Sequence, residues 1–222
     1  RSQGLSLTDD QYSYTASSTT MSQLIPDEAI VNGIEVFTRI INDSVKKAAL
    51  VDKMKAQLKR NGRNDYTYAV IASFKHNPSL NGLSIPQAAA KQYGTQSLEN
   101  QINVIFDLYR FGGASGVFHG MNEADLKVFM ADPNTMIASD SGIREFGRDV
   151  PHPRGYGNNA RVLGHYVREL NLLSLEDAIR KMTSLPAHTF RFEKRGEIKE
   201  GNWADIIIFD RETINSLSLI HI

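Results

Sequence analysis

The sequence predicts an α/β protein, and three observations carry that expectation. Short β-branched or aromatic runs alternate with longer segments whose apolar residues recur at helical spacing, as in a fold that buries strands against helices. Turn and cap signals separate them: Gly62, Asn77-Pro78, Asn81-Gly82, Gly94 and Gly112-Gly113. The composition, 41% hydrophobic and 23% charged over 222 residues, is that of a chain able to bury a core, which excludes disorder and collagen.

Taken in order, Leu5–Tyr14 mixes Leu, Thr and Tyr with polar residues and reads as a strand that breaks into the hydroxyl-rich loop Thr15–Thr20. Pro26–Gly62 reads as helical: Ile30, Ile34, Phe37, Ile40 and Ile41 form one stripe, Val51, Met54 and Leu58 a second, and Gly62 is a C-cap. Tyr66–Phe74 (YTYAVIASF) is a strand by its β-branched and aromatic content. A helix then opens at Ile85 with Pro86 in its first turn, where the missing N–H costs nothing, and stops at Gly94. Ser97–Tyr109 is a further amphipathic helix, and Ala114–His119 a short strand.

Asn122-x-x-Asp125 is the N-cap pattern for a helix over Glu123–Met130, and Thr135–Ser139 is a compact apolar strand delivering Asp140 at its end. Asp140–Asn159 has no apolar periodicity and is expected to be a long loop, a kind of segment that is usually functional or mobile. Helices return at Ala160–Glu169 and Ser174–Thr183, the latter capped by Ser174 and ended by Pro186. A turn from Gly196 leads into Ile206–Asp210, which reads as a buried strand. The chain opens at Arg1 without an initiator Met or a signal pattern and stops at Ser216–Ile222 without a closing element, so both ends are expected to be truncated.

Charge and composition narrow the function. Lys+Arg and Asp+Glu number 25 each and are scattered, so nothing draws the chain to nucleic acid or anionic lipid. No apolar run approaches the roughly 18 residues of a membrane span. The absence of Cys removes thiolate metal sites and cysteine nucleophiles, leaving carboxylates, hydroxyls and six His.

Asp140 is the leading candidate for chemistry, because a strand end is where β/α barrels hold their catalytic groups; the competing reading is an Asp that shapes a turn. Arg154, in His152-Pro153-Arg154, suits bidentate binding of a carboxylate, against an ordinary solvated loop arginine. Tyr12, Tyr14 and the hydroxyls Thr15, Ser17, Ser18 and Thr19 lie at a strand end and could add donors, although such loops more often satisfy their own backbone. His119 is more often a packed or rim residue than a ligand. His76, His165, His188 and His221 have no partner at a metal-ligand spacing, and no H-x-H or H-E-x-x-H occurs, so the sequence as given cannot complete a zinc site.

Five ordered blocks resemble the C-terminal half of the N-acyl-D-amino-acid deacylases, the D-aminoacylases of the amidohydrolase superfamily: Tyr12 to Thr19, Met136 to Gly142, His152-Pro153-Arg154, Arg161-Val162-Leu163-Gly164, and Gly196-x-Ile198-x-x-Gly201-x-x-Ala204-Asp205 through Asp210. The resemblance covers nearly the whole chain; its last block is the least diagnostic of substrate. It implies the C-terminal part of a metal-dependent (β/α)8 barrel with a lid insertion and part of a small β-sandwich. On that reading residues 1–189 belong to the barrel, with Leu5–Tyr14 and Thr135–Ser139 as its last two strands and the lid at about 17–74. Residues 190–222 belong to the sandwich.

The resemblance further implies Zn as cofactor, with most ligands upstream of Tyr12. Asp140 becomes the catalytic carboxylate and a metal contact, and Tyr12, Ser18 and Arg154 hold the substrate carboxylate. Two departures bear on substrate range. Tyr12-Ser13-Tyr14 stands where the family usually has Tyr-Pro-Tyr, and Ser139-Asp140-Ser141-Gly142 where it usually has Ser-Asp-Gly. The expected activity is hydrolysis of N-acyl-D-amino acids, a small-molecule substrate, by a protein of which this chain is one part, inactive alone. An amidohydrolase acting on cyclic amides or D-amino-acid peptides, and a non-catalytic binding module, are the alternatives. A cytoplasmic location is the expectation, with export left open by the missing start; the oligomeric state is not legible.

Overall fold

The structure, a computed structural model, describes residue 4, residues 7–143, residue 145 and residues 147–217. Strand β1 (Asp9–Gln11) is followed by β2 (Ala16–Thr20), a 3₁₀ turn at Met21–Leu24, and helices α1 (Asp27–Ile30), α2 (Ile34–Asn42) and α3 (Ser44–Arg60). Then come β3 (Ala69–Ser73), α4 (Ile85–Tyr93), α5 (Leu98–Arg110), β4 (Ser115–His119), α6 (Glu123–Ala131) and β5 (Thr135–Ile137). Helix α7 (Arg154–Arg161) runs on as a π-helix over Val162–Glu169, and α8 (Leu175–Met182) and α9 (Ser184–Thr189) complete the order.

The chain divides into two compact units. One contains Arg1–Thr15, Met121–Arg144 and Pro153–Ile222; the other contains Ala16–Gly120 and Glu145–His152. In the first, β1 and β5 pair in parallel, Asp9 opposite Thr135, Asp10 opposite Met136 and Gln11 opposite Ile137. Parallel strands need a crossover, and here the connection between them runs through Ala16–Gly120 of the second unit. Helix α6, the π-helix and α8 pack on this pair around Leu126, Met130, Ile137, Val162, Tyr166 and Ala178.

In the second unit β2, β4 and β3 form an antiparallel sheet in the order β2-β4-β3. Its core gathers Phe37, Met54, Ile71, Ile85, Ile102 and Leu108 from helices and sheet. Phe37 makes edge-on contacts with Phe106 and Tyr109, at ring-centroid distances of 5.6 and 4.9 Å. The expected lid residues 17–74 lie within this unit, which continues to Gly120.

Where local signals were strong, the elements follow them. Helix α4 has both halves of a capping box at Ser84 and Gln87, and ends on Gly94 in the left-handed region (φ 79°). Ser97, Asn122 and Ser174 cap α5, α6 and α8 through their side chains.

Six expectations are refined or corrected. Pro26–Gly62, expected to be helical, is helical in three pieces, because Gly33 turns the chain at φ 84° and Asp43 caps α3 by accepting from Val45 and Lys46. The expected loop Thr15–Thr20 is largely strand β2, its Thr residues suiting a pleated ladder. The strand expected over Leu5–Tyr14, of which Leu5 and Ser6 lie outside the described residues, is regular only at Asp9–Gln11. The loop expected to Asn159 becomes helical at Arg154; Gly155 and Gly157 weaken the helix signal, and the face that holds α7 is polar rather than apolar.

Pro186 does not end α8, which stops at Met182; it sits in the first turns of α9, where no intrahelical N–H is required. Ile206–Asp210 forms no ladder with any described strand, and Ile207 and Ile208 are 86% and 94% exposed, while Phe209 packs on the core of its unit. A strand exists only where a neighbour takes its hydrogen bonds. Of the terminal run Ser216–Ile222, residues 218–222 lie outside the described residues, His221 among them.

Candidate active site

The C-terminal ends of β1 and β5 and the start of α7 meet in the first unit. Asp140 follows β5 by three residues and holds φ at 46°, a left-handed backbone uncommon outside glycine though least costly for Asp and Asn. Backbone strain of this kind gathers at functional positions. Arg154 is the first residue of α7 and is buried, 6% exposed, with Nη2 3.0 Å from Oδ2 of Asp140, whose own side chain is 66% exposed.

The same guanidinium lies 4.8 Å from the centroid of the Tyr12 ring. Burial is the main cause that holds the Tyr12 phenol above its usual range, and Asp140 adds to it; Arg154 pulls the other way. The structure therefore brings Tyr12, Asp140 and Arg154 together. A cation nearly enclosed by protein, beside an aromatic face and an accessible carboxylate, is equipped to bind a planar anion with a fixed orientation.

Ser18, the fourth expected site residue, lies on β2 in the other unit, opposite Val117 of β4 and partly buried. His119 ends β4 in that unit, with its backbone N–H on the Tyr68 carbonyl at 2.8 Å. His152 is buried there, its Nε2 2.8 Å from the Ala16 carbonyl oxygen. His165 pairs with Glu169 at 2.6 Å, His188 lies 3.4 Å from Glu197, and His76 stacks on Phe111. Among the described residues no three His, Asp or Glu converge as a metal site.

Two further residues were given no role from the sequence, Asn158 and, although it opens one of the five resembling blocks, Arg161. They stand four and seven positions after Arg154, on one face of α7. Asn158 accepts the Ser13 N–H at 2.8 Å and donates to the Ala138 carbonyl at 3.1 Å, and Arg161 Nε donates to the Ser13 carbonyl at 2.8 Å. Their signal was the i, i+4, i+7 spacing of polar residues from Arg154, hidden because the loop was expected to run to Asn159 and the helix to begin only at Ala160.

A parallel strand pair whose carboxyl ends carry an acid, with a buried arginine set against it from the helix that follows, is placed where β/α enzymes hold their active sites. Comparison with known proteins gives the family. The model of the amidohydrolase family matches residues 105–216, and the chain belongs to that family. It is 35% identical over 138 residues to an N-acyl-D-glutamate deacylase of Alcaligenes xylosoxydans xylosoxydans, covering 62% of this chain and 26% of that protein. To a D-aminoacylase of the same organism it is 36% identical over 145 residues, covering 65% and 28%.

Among solved structures, the N-acyl-D-glutamate deacylase of Bordetella bronchiseptica, complexed with zinc and a phosphonate mimic of the tetrahedral intermediate, is similar with a TM-score of 0.66 and 28% identity. That likeness covers 97% of this chain and 35% of the other. The chain thus spans about a quarter to a third of the length of these relatives.

Proposed function

We propose that this chain supplies the substrate-carboxylate and proton-transfer end of a zinc-dependent amidohydrolase that cleaves N-acyl-D-amino acids into a carboxylate and a D-amino acid. The observation that carries the reading is the buried Arg154 guanidinium set on Asp140 and against Tyr12 at the ends of a parallel strand pair. The relatives agree with it: two are deacylases of N-acyl-D-amino acids by name, and one solved neighbour holds zinc.

In this proposal Arg154 pairs with the free α-carboxylate of the substrate, and Tyr12 adds a hydrogen bond to it. Asp140 accepts the proton of the attacking water and returns it to the departing amine, so one carboxylate serves both halves of the reaction. When bound, zinc supplies the polarisation of water and carbonyl that makes attack possible at neutral pH. Its ligands, Asp140 apart, lie on this proposal outside the described residues. A substrate with a ring imide has no anion for Arg154, which disfavours cyclic amides, and a binding module would have no use for a strained Asp beside the anion site.

The test is turnover of N-acyl-D-amino acids by the zinc-loaded protein that carries this chain. Asp140→Asn keeps shape but cannot relay the proton, so kcat is expected to fall by about 10²–10⁴ with KM little changed. Near wild-type turnover in that variant would remove Asp140 from the chemistry, and preferential hydrolysis of ring imides would favour the other amidohydrolase reading.

A further inference from the structure

We infer that Asn158 is a positioning residue whose side-chain amide is set into the β1–β5 ladder as a spacer, holding Tyr12 and Asp140 at a fixed separation from the helix that carries Arg154. A parallel ladder advances by evenly spaced bonds that alternate between strands. After the last paired residues, Gln11 and Ile137, the Ala138 N–H still donates to the Gln11 carbonyl at 3.2 Å.

The next bond of the series would run from the Ser13 N–H to the Ala138 carbonyl. It is replaced by two: Ser13 N–H to Asn158 Oδ1 at 2.8 Å, and Asn158 Nδ2 to the Ala138 carbonyl at 3.1 Å. The amide offers the acceptor and the donor of one peptide unit and adds its own width between the strands.

Its place gives this consequence for the site. The spacer enters beside Tyr12 and two residues before Asp140, so the separation of those side chains depends on it. Ser13 and Asn158 are buried, 0% and 3% exposed, and the Ser13 hydroxyl lies 3.1 Å from both the carbonyl and Oδ1 of Asn158. Arg161 closes the same strand end by donating to the Ser13 carbonyl. Because Asn158 and Arg154 share one face of α7, a single rigid helix sets the spacer and the anion-binding group together.

Neither a Leu nor an Asp at position 158 can do this. Leu has no polar atom, and Asp keeps the acceptor for Ser13 but turns a carboxylate toward the Ala138 carbonyl.

The catalytic meaning of this spacer rests on the proposed function, whereas its geometry does not, and the experiment reads them separately. Fluorotyrosine is placed at position 12 of the full chain, and its fluorine resonance is followed in wild type, Asn158→Asp, Asn158→Leu and Ser13→Ala, with thermal melting in parallel. Folded Asn158→Asp and Asn158→Leu are expected to move the Tyr12 resonance as the site loosens. Ser13→Ala, which keeps the N–H, should leave it near wild type.

In the active zinc protein the Asn158 variants should lose about tenfold to a hundredfold in kcat/KM, the scale of an ångström-sized misplacement, with most of the loss in kcat. An unchanged Tyr12 signal in a folded Asn158→Asp protein overturns the inference, as does loss of folding in both Asn158 variants, which would leave only a structural role. A shifted Tyr12 signal in a protein whose wild type hydrolyses no N-acyl-D-amino acid retains the spacer and removes the proposed reaction.

Discussion

Replacing Arg154 by Ala separates the contribution of this side chain to folding from its contribution to substrate binding. In the folded chain the guanidinium meets Asp140 at 3.0 Å, but that carboxylate is 66% exposed and regains water once the partner is gone, so the ion pair itself contributes at most about 1 kcal/mol. The contact with the Tyr12 ring at 4.8 Å is worth about 0.5–2 kcal/mol. The variant should therefore fold with a modestly lowered melting temperature. Substrate pairing is a different matter: a carboxylate held by a charge-assisted bond in a mostly buried setting gains about 1.5–3 kcal/mol. Its loss lowers kcat/KM roughly tenfold to more than a hundredfold.

The assay compares an N-acyl-D-amino acid with its α-carboxamide, which offers Arg154 no anion. The acid should lose the full factor and the amide far less. Arg154→Lys keeps the charge without the planar fork and should recover only part of the loss. Equal losses on acid and amide would refute the reasoning and make Arg154 a residue that shapes the chain after Asp140, leaving the carboxylate to another partner.

Two further variants concern stability. Lys181 is wholly buried and donates to the carbonyls of Asp132 and Thr135 at the entry to β5, so Lys181→Met, which keeps the apolar stem, should cost about 1–3 kcal/mol in chemical denaturation by stranding those acceptors. Burial holds its ammonium below the usual lysine range, so the unfolded chain binds the extra proton, wild-type stability rises as pH climbs through the window just below the ordinary lysine value of 10.5, and Lys181→Met should lack that rise. A Cβ at Gly196, the first glycine of the Gly196-x-Ile198-x-x-Gly201 block, would sit 2.5 Å from Ala187 Cβ and 2.9 Å from the Thr183 carbonyl oxygen, at φ +85°. Gly196→Ala is therefore expected to lower stability by about 1–3 kcal/mol, and an unchanged melting temperature would show that the turn moves aside freely.

Much of this protein was legible from its residues because the deciding forces are local. Ser84 with Gln87, Gly94, Ser97, Asn122 and Ser174 bound their helices through bonds made within a turn, so their positions could be read without knowing what packs against them. The resemblance gave Tyr12, Ser18 and Arg154 to the substrate carboxylate and Asp140 to catalysis; of these four the structure brings Tyr12, Asp140 and Arg154 together.

What only the tertiary structure decided was set by partners distant in sequence. Ser17 and Ser18 belong to a strand because β4, about a hundred residues away, takes their backbone bonds, while Ile206–Asp210 lacks such a neighbour among the described residues and forms no strand despite its apolar side chains. Likewise β1 stops at Gln11, although strand-forming side chains continue, because the amide of Asn158 takes up the bond that Ser13 and Ala138 would have shared. Helix caps are closed by neighbours along the chain, but a ladder bond needs a partner from elsewhere, and that partner is specified only once the chain has folded.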